Sequence, residues 1–276
     1  MGVGSVAVSV EAPIGASASS SMRSAGPSGR AMEAVVTNTD HFAPDGSNRL
    51  LAALLPADFS LLARDLTDYP LELGTLLQEV GLPIEWVYFP QVGMISLLAP
   101  MRNGSAVETA TVGREGAVGA LAGLGSRNAS SRAVVQLEGK GLRISSWRLA
   151  AAVNQSTVIK SLLVRYNDAL MAMVNQSAGC NASHQVEGRL CRWLLQTRDR
   201  SDSDIIPLTQ EFLSQMLGVR RTTVTLIARE LQGRGLIEYR RGRIKILDRG
   251  GLEECACECY ATIRQWNDEV FSNGEK

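Results

Sequence analysis

The spacing of apolar positions changes along this chain, and each change predicts a different element. Over residues 48–73, Leu50, Leu51, Leu54, Leu55, Phe59, Leu61, Leu62 and Leu66 form a broad apolar face at helical spacing, interrupted at Pro56. From Gly74 to Ile144 the pattern turns to short β-prone runs separated by Gly, Pro and Asn. The runs are 76–80, 86–89, 94–98, 106–112, 133–137 and 141–144. Strands at such short spacing point to a sandwich or barrel rather than βαβ units. Helical spacing then returns. Ser145 and Ser146 can cap a helix at Trp147. Thr157–Ser177 reads as a long helix with Val158, Ile159, Leu162, Leu163, Tyr166, Leu170, Met173 and Val174 in one stripe. That stripe either packs on its own domain or forms the seam of a dimer, and the dimer is the expectation. Gln185–Arg198 is a second amphipathic helix, followed by a loop over Arg200–Asp204.

The stretch Leu208–Ile246 carries the clearest pattern. Thr209 is an N-cap, and Phe212, Leu213, Met216 and Leu217 supply an apolar helical face. Gly218 ends that helix. The next helix starts at about Arg220 and buries Val224, Ile227, Ala228 and Leu231. Its outer side carries Thr222, Thr225, Leu226 and Arg229, with Arg221 at its start. A short, polar, basic face of this kind suits the DNA major groove: Arg matches guanine, and methyl groups match thymine. Gly233 and Gly235 break the helix. Two short strands, 236–239 and 244–247, then flank the turn Arg240–Arg243, a basic wing.

Charge sharpens this reading. Residues 219–245 hold eight Arg/Lys and two Glu, a net charge of +6, in a chain whose overall net charge is +0. Segregated positive charge suits phosphate binding. The bland alternative is a helical hairpin with a solvated charged face. Hydrophobic content of 45% in 276 residues leaves room for two domains. No apolar run is long enough for a bilayer, and five unevenly spread Cys do not form a disulfide framework, so a reducing cytoplasm is expected. Residues 1–47, rich in Ala, Ser and Gly, are expected to be a disordered tail rather than a secretion or transit signal; Met22 and Met32 are alternative starts. The segment 248–276 has seven Asp/Glu against three Arg/Lys and reads as an acidic tail. Cys255, Cys257 and Cys259 lie within it. On a helix they would spread apart; on an extended segment two could converge, but no His or fourth Cys accompanies them, so no metal site is expected and redox-reactive thiols rank above one. No nucleophile–base pair, metal set or phosphate-transfer loop is present, which argues against an enzyme; GREGAVG lacks the Lys-Ser/Thr of such a loop.

Three further stretches carry a resemblance: Val87-Tyr88-Phe89-Pro90 with Gly93-Met94-Ile95-Ser96, then Val112–Gly119, then LTQEFLSQMLGVRRTTVT with its wing. Together, over about residues 48–250, the chain resembles the Crp/Fnr superfamily of bacterial transcription regulators. The resemblance implies an α+β fold: an N-terminal β-roll of double-stranded β-helix (jelly-roll) type, a long dimerisation helix and a C-terminal winged helix-turn-helix. Its implied domains are 48–150 as a cyclic-nucleotide-binding-like sensor, 151–185 as the dimerisation helix and 186–250 as the DNA-binding domain, with 251–276 the acidic tail. Arg220, Arg221, Thr222, Thr223, Thr225, Leu226, Arg229, Arg240, Arg241 and Arg243 would meet DNA. Arg221 matches the family's first base-contacting Arg. Thr222 replaces a common Glu, and Leu226 stands where a second Arg often lies, so the operator should depart from the usual half-site.

The implied effector site comprises Gly116, Ala117, Val118, Gly119, Arg127, Arg132 and Ala133. Cyclic-AMP-binding members have a Gly-Glu pair; here Ala117 stands where the Glu would be, and the lost ribose acceptor costs about 1–3 kcal/mol. Cyclic AMP bound in the usual way is therefore not expected. Residues 1–179 contain no Cys, so the N-terminal cluster of the oxygen-sensing members is missing, and His41 alone does not support haem. The expected protein is a homodimeric regulator of promoter DNA, with RNA polymerase as a further partner, no membrane association and an unidentified effector. The alternative is a small-molecule sensor acting through protein association.

Overall fold

The computed structural model describes residues 48–201 and 203–272. The expected N-terminal tail and His41 lie outside the described residues.

The Leu-rich start is not one helical segment. It gives α1 (Arg49–Ala52), α2 (Pro56–Ala63) and then strand β1 (Thr67–Leu71). Pro56 opens α2, where its missing N–H costs nothing. Asn48 caps α1 through Oδ1 and donates from Nδ2 to the carbonyls of Pro90 and Gly116, at 2.8 and 3.0 Å. Pro70 is tolerated in β1 because β1 is the edge of its sheet.

The sheet is antiparallel, in the order β1-β5-β3-β4, with β2 (Leu76–Gln78) also on β5. Four of the expected runs merge into two long strands, β3 (Trp86–Pro100) and β5 (Arg132–Ser145). They stay paired through irregularities between Pro90 and Ile95. There the backbones approach so closely that a Cβ on Gly139 would lie 2.1 Å from the Val92 carbonyl oxygen, while Gly93 takes φ +99°. Only glycine fits this crossing. Strand β4 (Ala106–Val112) forms as its alternation predicts. GREGAVGALAGLG becomes a loop and a 3-10 turn over Ala120–Leu124.

Ser145 precedes α3 (Ser146–Gln155) without donating or accepting a side-chain cap bond. The long helix α4 (Thr157–Ser183) runs 27 residues, capped by Ser156. Ile159, Leu162, Leu163, Tyr166 and Met173 are buried within the chain itself. These five of the eight stripe residues pack against the N-terminal sheet and its loops, while Leu170 and Val174 are half-buried and Val158 is exposed. Helix α5 (Val186–Asp199) buries Leu190, Trp193, Leu194 and Leu195. The expected loop after it leads into a short strand, β6 (Ile205–Pro207), which joins β7 (Ile237–Arg240) and β8 (Arg243–Ile246) in the order β6-β8-β7.

The segment read as an acidic tail is also corrected. It forms α8 (Arg249–Cys255) and α9 (Cys259–Glu269), with Leu252, Cys259, Tyr260, Ile263 and Val270 buried. The acids face outward, and five buried residues anchor the pair against α4, α5 and the α1 region. Among the described residues, no helix is long and apolar enough to cross a membrane.

Candidate nucleic-acid interface and sensor cavity

Helices α6 (Gln210–Leu217) and α7 (Arg221–Gly233) form as the sequence predicts. The Thr209 hydroxyl accepts from the Phe212 N–H at 3.2 Å, and Gly218 takes left-handed geometry, φ 63°. Val224, Ala228 and Leu231 are buried. Arg221, Thr222, Leu226 and Arg229 are exposed together on the opposite side, with Leu226 exposed to 66%. Thr223 and Thr225 are half-buried, and Arg220 is exposed just before the helix. Thr225 donates to Gln210 Oε1 at 2.9 Å, and Arg221 Nε approaches the same oxygen at 3.4 Å. Sequence reasoning missed Gln210, which orients the start of α7 from the preceding helix; its only signal was a polar residue at the exposed start of α6.

The wing projects Arg240, Arg241 and Arg243 into solvent. Its turn uses Arg241 at φ 50° and Gly242 at φ 73°. Both central residues have positive φ, the geometry of a tight hairpin turn. Lys245 adds a fourth cation on the same sheet face, beside Glu238.

The loop after β4 lies elsewhere. A cavity of about 280 Å³ opens between β3, β4, the 117–121 loop and α4. Ala117, Val118 and Gly119 line it, together with Gln78, Asn128, Ser130, Ser131, Asn167, Leu170 and Met171. The other four expected effector residues do not line it. Gly116 is pressed against Tyr166, whose hydroxyl would sit 2.6 Å from any added Cβ. Tyr166 donates to the Ala117 carbonyl at 2.9 Å. Arg127 is exposed, Ala133 is buried in β5, and Arg132 is held by Glu79 at 2.8 Å. No charged side chain lines this cavity among the described residues, so it offers a cyclic phosphate no counter-charge. It does offer Gln78 Oε1, a buried acceptor without a partner.

Two acids, half-buried Glu108 and buried Glu115, join the N-terminal sheet and its following loop to α5. Glu108 of β4 accepts from Ser96 Oγ at 2.5 Å and from Trp193 Nε1 of α5 at 2.9 Å. Burial pushes its carboxyl up to about 7, opposed by the Ser96 bond and by Arg192. Glu115 pairs with Arg200 at the end of α5; both residues are buried.

The premise that nothing accompanies the C-terminal cysteines is overturned. Cys180 and His184, at the end of α4, meet Cys257 and Cys259 at the α8–α9 turn, and the four ligand atoms lie within 4.8 Å of one another. Cys255 points away, toward Arg234.

Residues 188–255 match the family model of the Crp-like helix-turn-helix domain. No curated protein sequence matches the chain. Solved structures do. FixK2 from Bradyrhizobium japonicum superposes with a TM-score of 0.57 at 13% identity, covering 70% of this chain and 98% of that one. CLP, a c-di-GMP-responsive global regulator from Xanthomonas campestris, gives 0.54 at 15% identity, covering 69% and 98%. A Crp/Fnr-family transcriptional regulator from Thermus thermophilus gives 0.53 at 20% identity, covering 69% and 97%. The chain therefore has the fold of the Crp/Fnr transcription regulators, an N-terminal antiparallel sheet followed by a Crp-like helix-turn-helix domain.

Proposed function

We propose that this chain is a homodimeric, sequence-specific DNA-binding transcription regulator acting in the cytoplasm. The observation that carries this reading is one exposed surface on which Arg221, Thr222, Leu226 and Arg229 of α7 stand beside the Arg-rich wing. In this reading α7 enters the major groove, Arg221 contacts a base, and the wing grips phosphate. Thr222 and Leu226 set an operator that departs from the usual half-site of the family.

The dimer forms along a face of α4 other than the predicted stripe. Val164 and Met171, seven residues apart, are exposed to 41% and 60% and supply an apolar seam. Replacing Met171 by Glu should yield monomers in light scattering. The sensor cavity takes an uncharged or weakly polar ligand rather than cyclic AMP, because its lining carries hydroxyl and amide groups and no cation. Occupancy there shifts the population of DNA-competent dimers through Glu108 and Glu115. RNA polymerase is the expected further partner.

The decisive experiment is genome-wide mapping of bound sites, followed by titration of one such site at several salt concentrations. Salt-dependent, sequence-selective binding is expected. If no promoter DNA is bound at any salt concentration, the reading fails.

A further inference from the structure

Four side chains from two distant stretches converge where the long helix ends. Cys180 lies in the last turn of α4, and His184 is its C-cap, so the i, i+4 spacing puts both on one face. Cys257 lies in the α8–α9 turn, and Cys259 is the first residue of α9. This turn resolves the C-A-C-E-C pattern: Cys257 and Cys259 converge, while Cys255 remains on α8.

The distances fit one small ion. Cys180 Sγ and Cys257 Sγ are 3.5 Å apart, and Cys259 Sγ lies 3.5 Å from His184 Nδ1. A tetrahedral zinc ion, with bonds near 2.3 Å to sulfur and 2.0 Å to nitrogen, would place such ligand atoms about 3.5–3.8 Å apart. All four ligand atoms lie within 4.8 Å of one another, which suits ligands on one metal atom rather than ligands spread over the several irons of a cluster.

The surroundings fit as well. His184 Nε2 is 2.9 Å from a Glu258 carboxylate oxygen, which leaves Nδ1 turned to the thiols. A carboxylate behind a ligating imidazole is a recurring support of zinc sites. Gln176 donates to Cys259 Sγ at 3.0 Å, and the Cys257 N–H donates to the Gly188 carbonyl at 3.3 Å. Buried Arg192 acts on Cys180 and Cys257 and offsets the negative charge of three thiolates.

We infer that Cys180, His184, Cys257 and Cys259 form a tetrahedral binding site for a single divalent ion of the zinc class. Each thiol gives up its proton to solvent on binding, and no electron is transferred. The ion clamps the α8–α9 turn onto the junction of α4 and α5. Given the DNA-binding reading above, that junction joins the sensor's long helix to the reading domain, so the clamp fixes their relative orientation.

The test uses the full chain, purified reduced and without chelator. Elemental analysis should find one zinc per chain. After removal of zinc, Co(II) should produce the intense visible bands of a tetrahedral, thiolate-bound ion. Cys180→Ser, Cys257→Ser and Cys259→Ser should each weaken cobalt binding by tenfold or more, while Cys191→Ser and Cys255→Ser should bind like the parent. Glu258→Gln, which leaves all four ligands in place, should weaken binding by about tenfold. The inference is overturned if the parent shows no such bands. It is also overturned if Cys255→Ser loses as much as Cys257→Ser, or if the freshly purified parent carries a Cys180–Cys257 disulfide. Cobalt binding is read without DNA, so this result and that of the DNA titration stand independently.

Discussion

The Arg200 guanidinium, at the C-cap of α5, closes on Glu115 in the loop after β4, with Nε 2.8 Å from Oε1. Both side chains are nearly sealed from solvent, at 5% and 10% exposure. Arg200 also donates to the Gln196 carbonyl, and the Gly113 N–H donates to the same Glu115 oxygen. One ion pair thus ties the loop after β4 to the end of α5. Removing one partner strands a buried charge, so Arg200→Ala should cost about 3–5 kcal/mol of stability. The double replacement Glu115→Leu with Arg200→Met should be nearly neutral for stability and should lose whatever coupling the pair provides. Denaturant unfolding of Arg200→Ala measures the first, and a cycle of the parent, Glu115→Leu, Arg200→Met and the double variant measures the coupling.

Glu108 makes stability depend on pH. Its carboxyl rises from the ordinary 4.5 to about 7 in the folded chain because burial disfavours the charge. The folded state therefore favours the protonated form. The stability this group contributes is whole below its unfolded pKa of 4.5 and is lost as pH rises through about 7. Arg192 and Arg200 lie on the side of α5, and Ser96 and Trp193 bond the carboxylate. Glu108→Gln keeps the shape without the titration. Between about pH 5 and about pH 8, its Tm should fall less than that of the parent. Equal falls would remove Glu108 as the source.

Gly116, in the loop after β4, and Tyr166 of α4 are in contact. A methyl group at 116 would meet the Tyr166 ring and hydroxyl at 2.6–2.8 Å. Gly116→Ala should destabilise the chain by about 1–3 kcal/mol through overpacking. Adding Tyr166→Leu should recover part of that loss, although it also removes the bond to the Ala117 carbonyl. Thermal unfolding of the single and double variants separates the two effects.

The reading surface should divide into base and phosphate roles. Arg221→Ala should cost about 1–3 kcal/mol of specific binding and relax preference at one base pair. Replacing Arg240, Arg241 and Arg243 with Ala should weaken binding to all sequences. It should flatten the salt dependence by about 2–3 units of slope, at roughly 0.9 per phosphate lost. Leu226→Ala should leave stability within about 0.5 kcal/mol, since the side chain is exposed, while lowering affinity for the operator. Titrations at several salt concentrations distinguish these outcomes.

The sequence by itself determined the helix-turn-helix and its wing. Thr209, Gly218, the apolar spacing of α6 and α7, and the Arg-rich turn act through neighbours a few residues away, so their geometry follows from the chain's covalent order. The charge segregation over 219–245 was equally legible. Only the tertiary structure decided the rest. Pro70 belongs to a strand because β5 is available to pair with it at the sheet edge. Most of the stripe on α4 is buried because the N-terminal sheet and its loops pack against it. Arg200 finds Glu115 across 85 residues, and Cys180 faces Cys257 across 77. No period or local propensity encodes such meetings. They depend on where packed elements bring the chain back, and burial then makes each meeting strong by excluding the water that would otherwise weaken it.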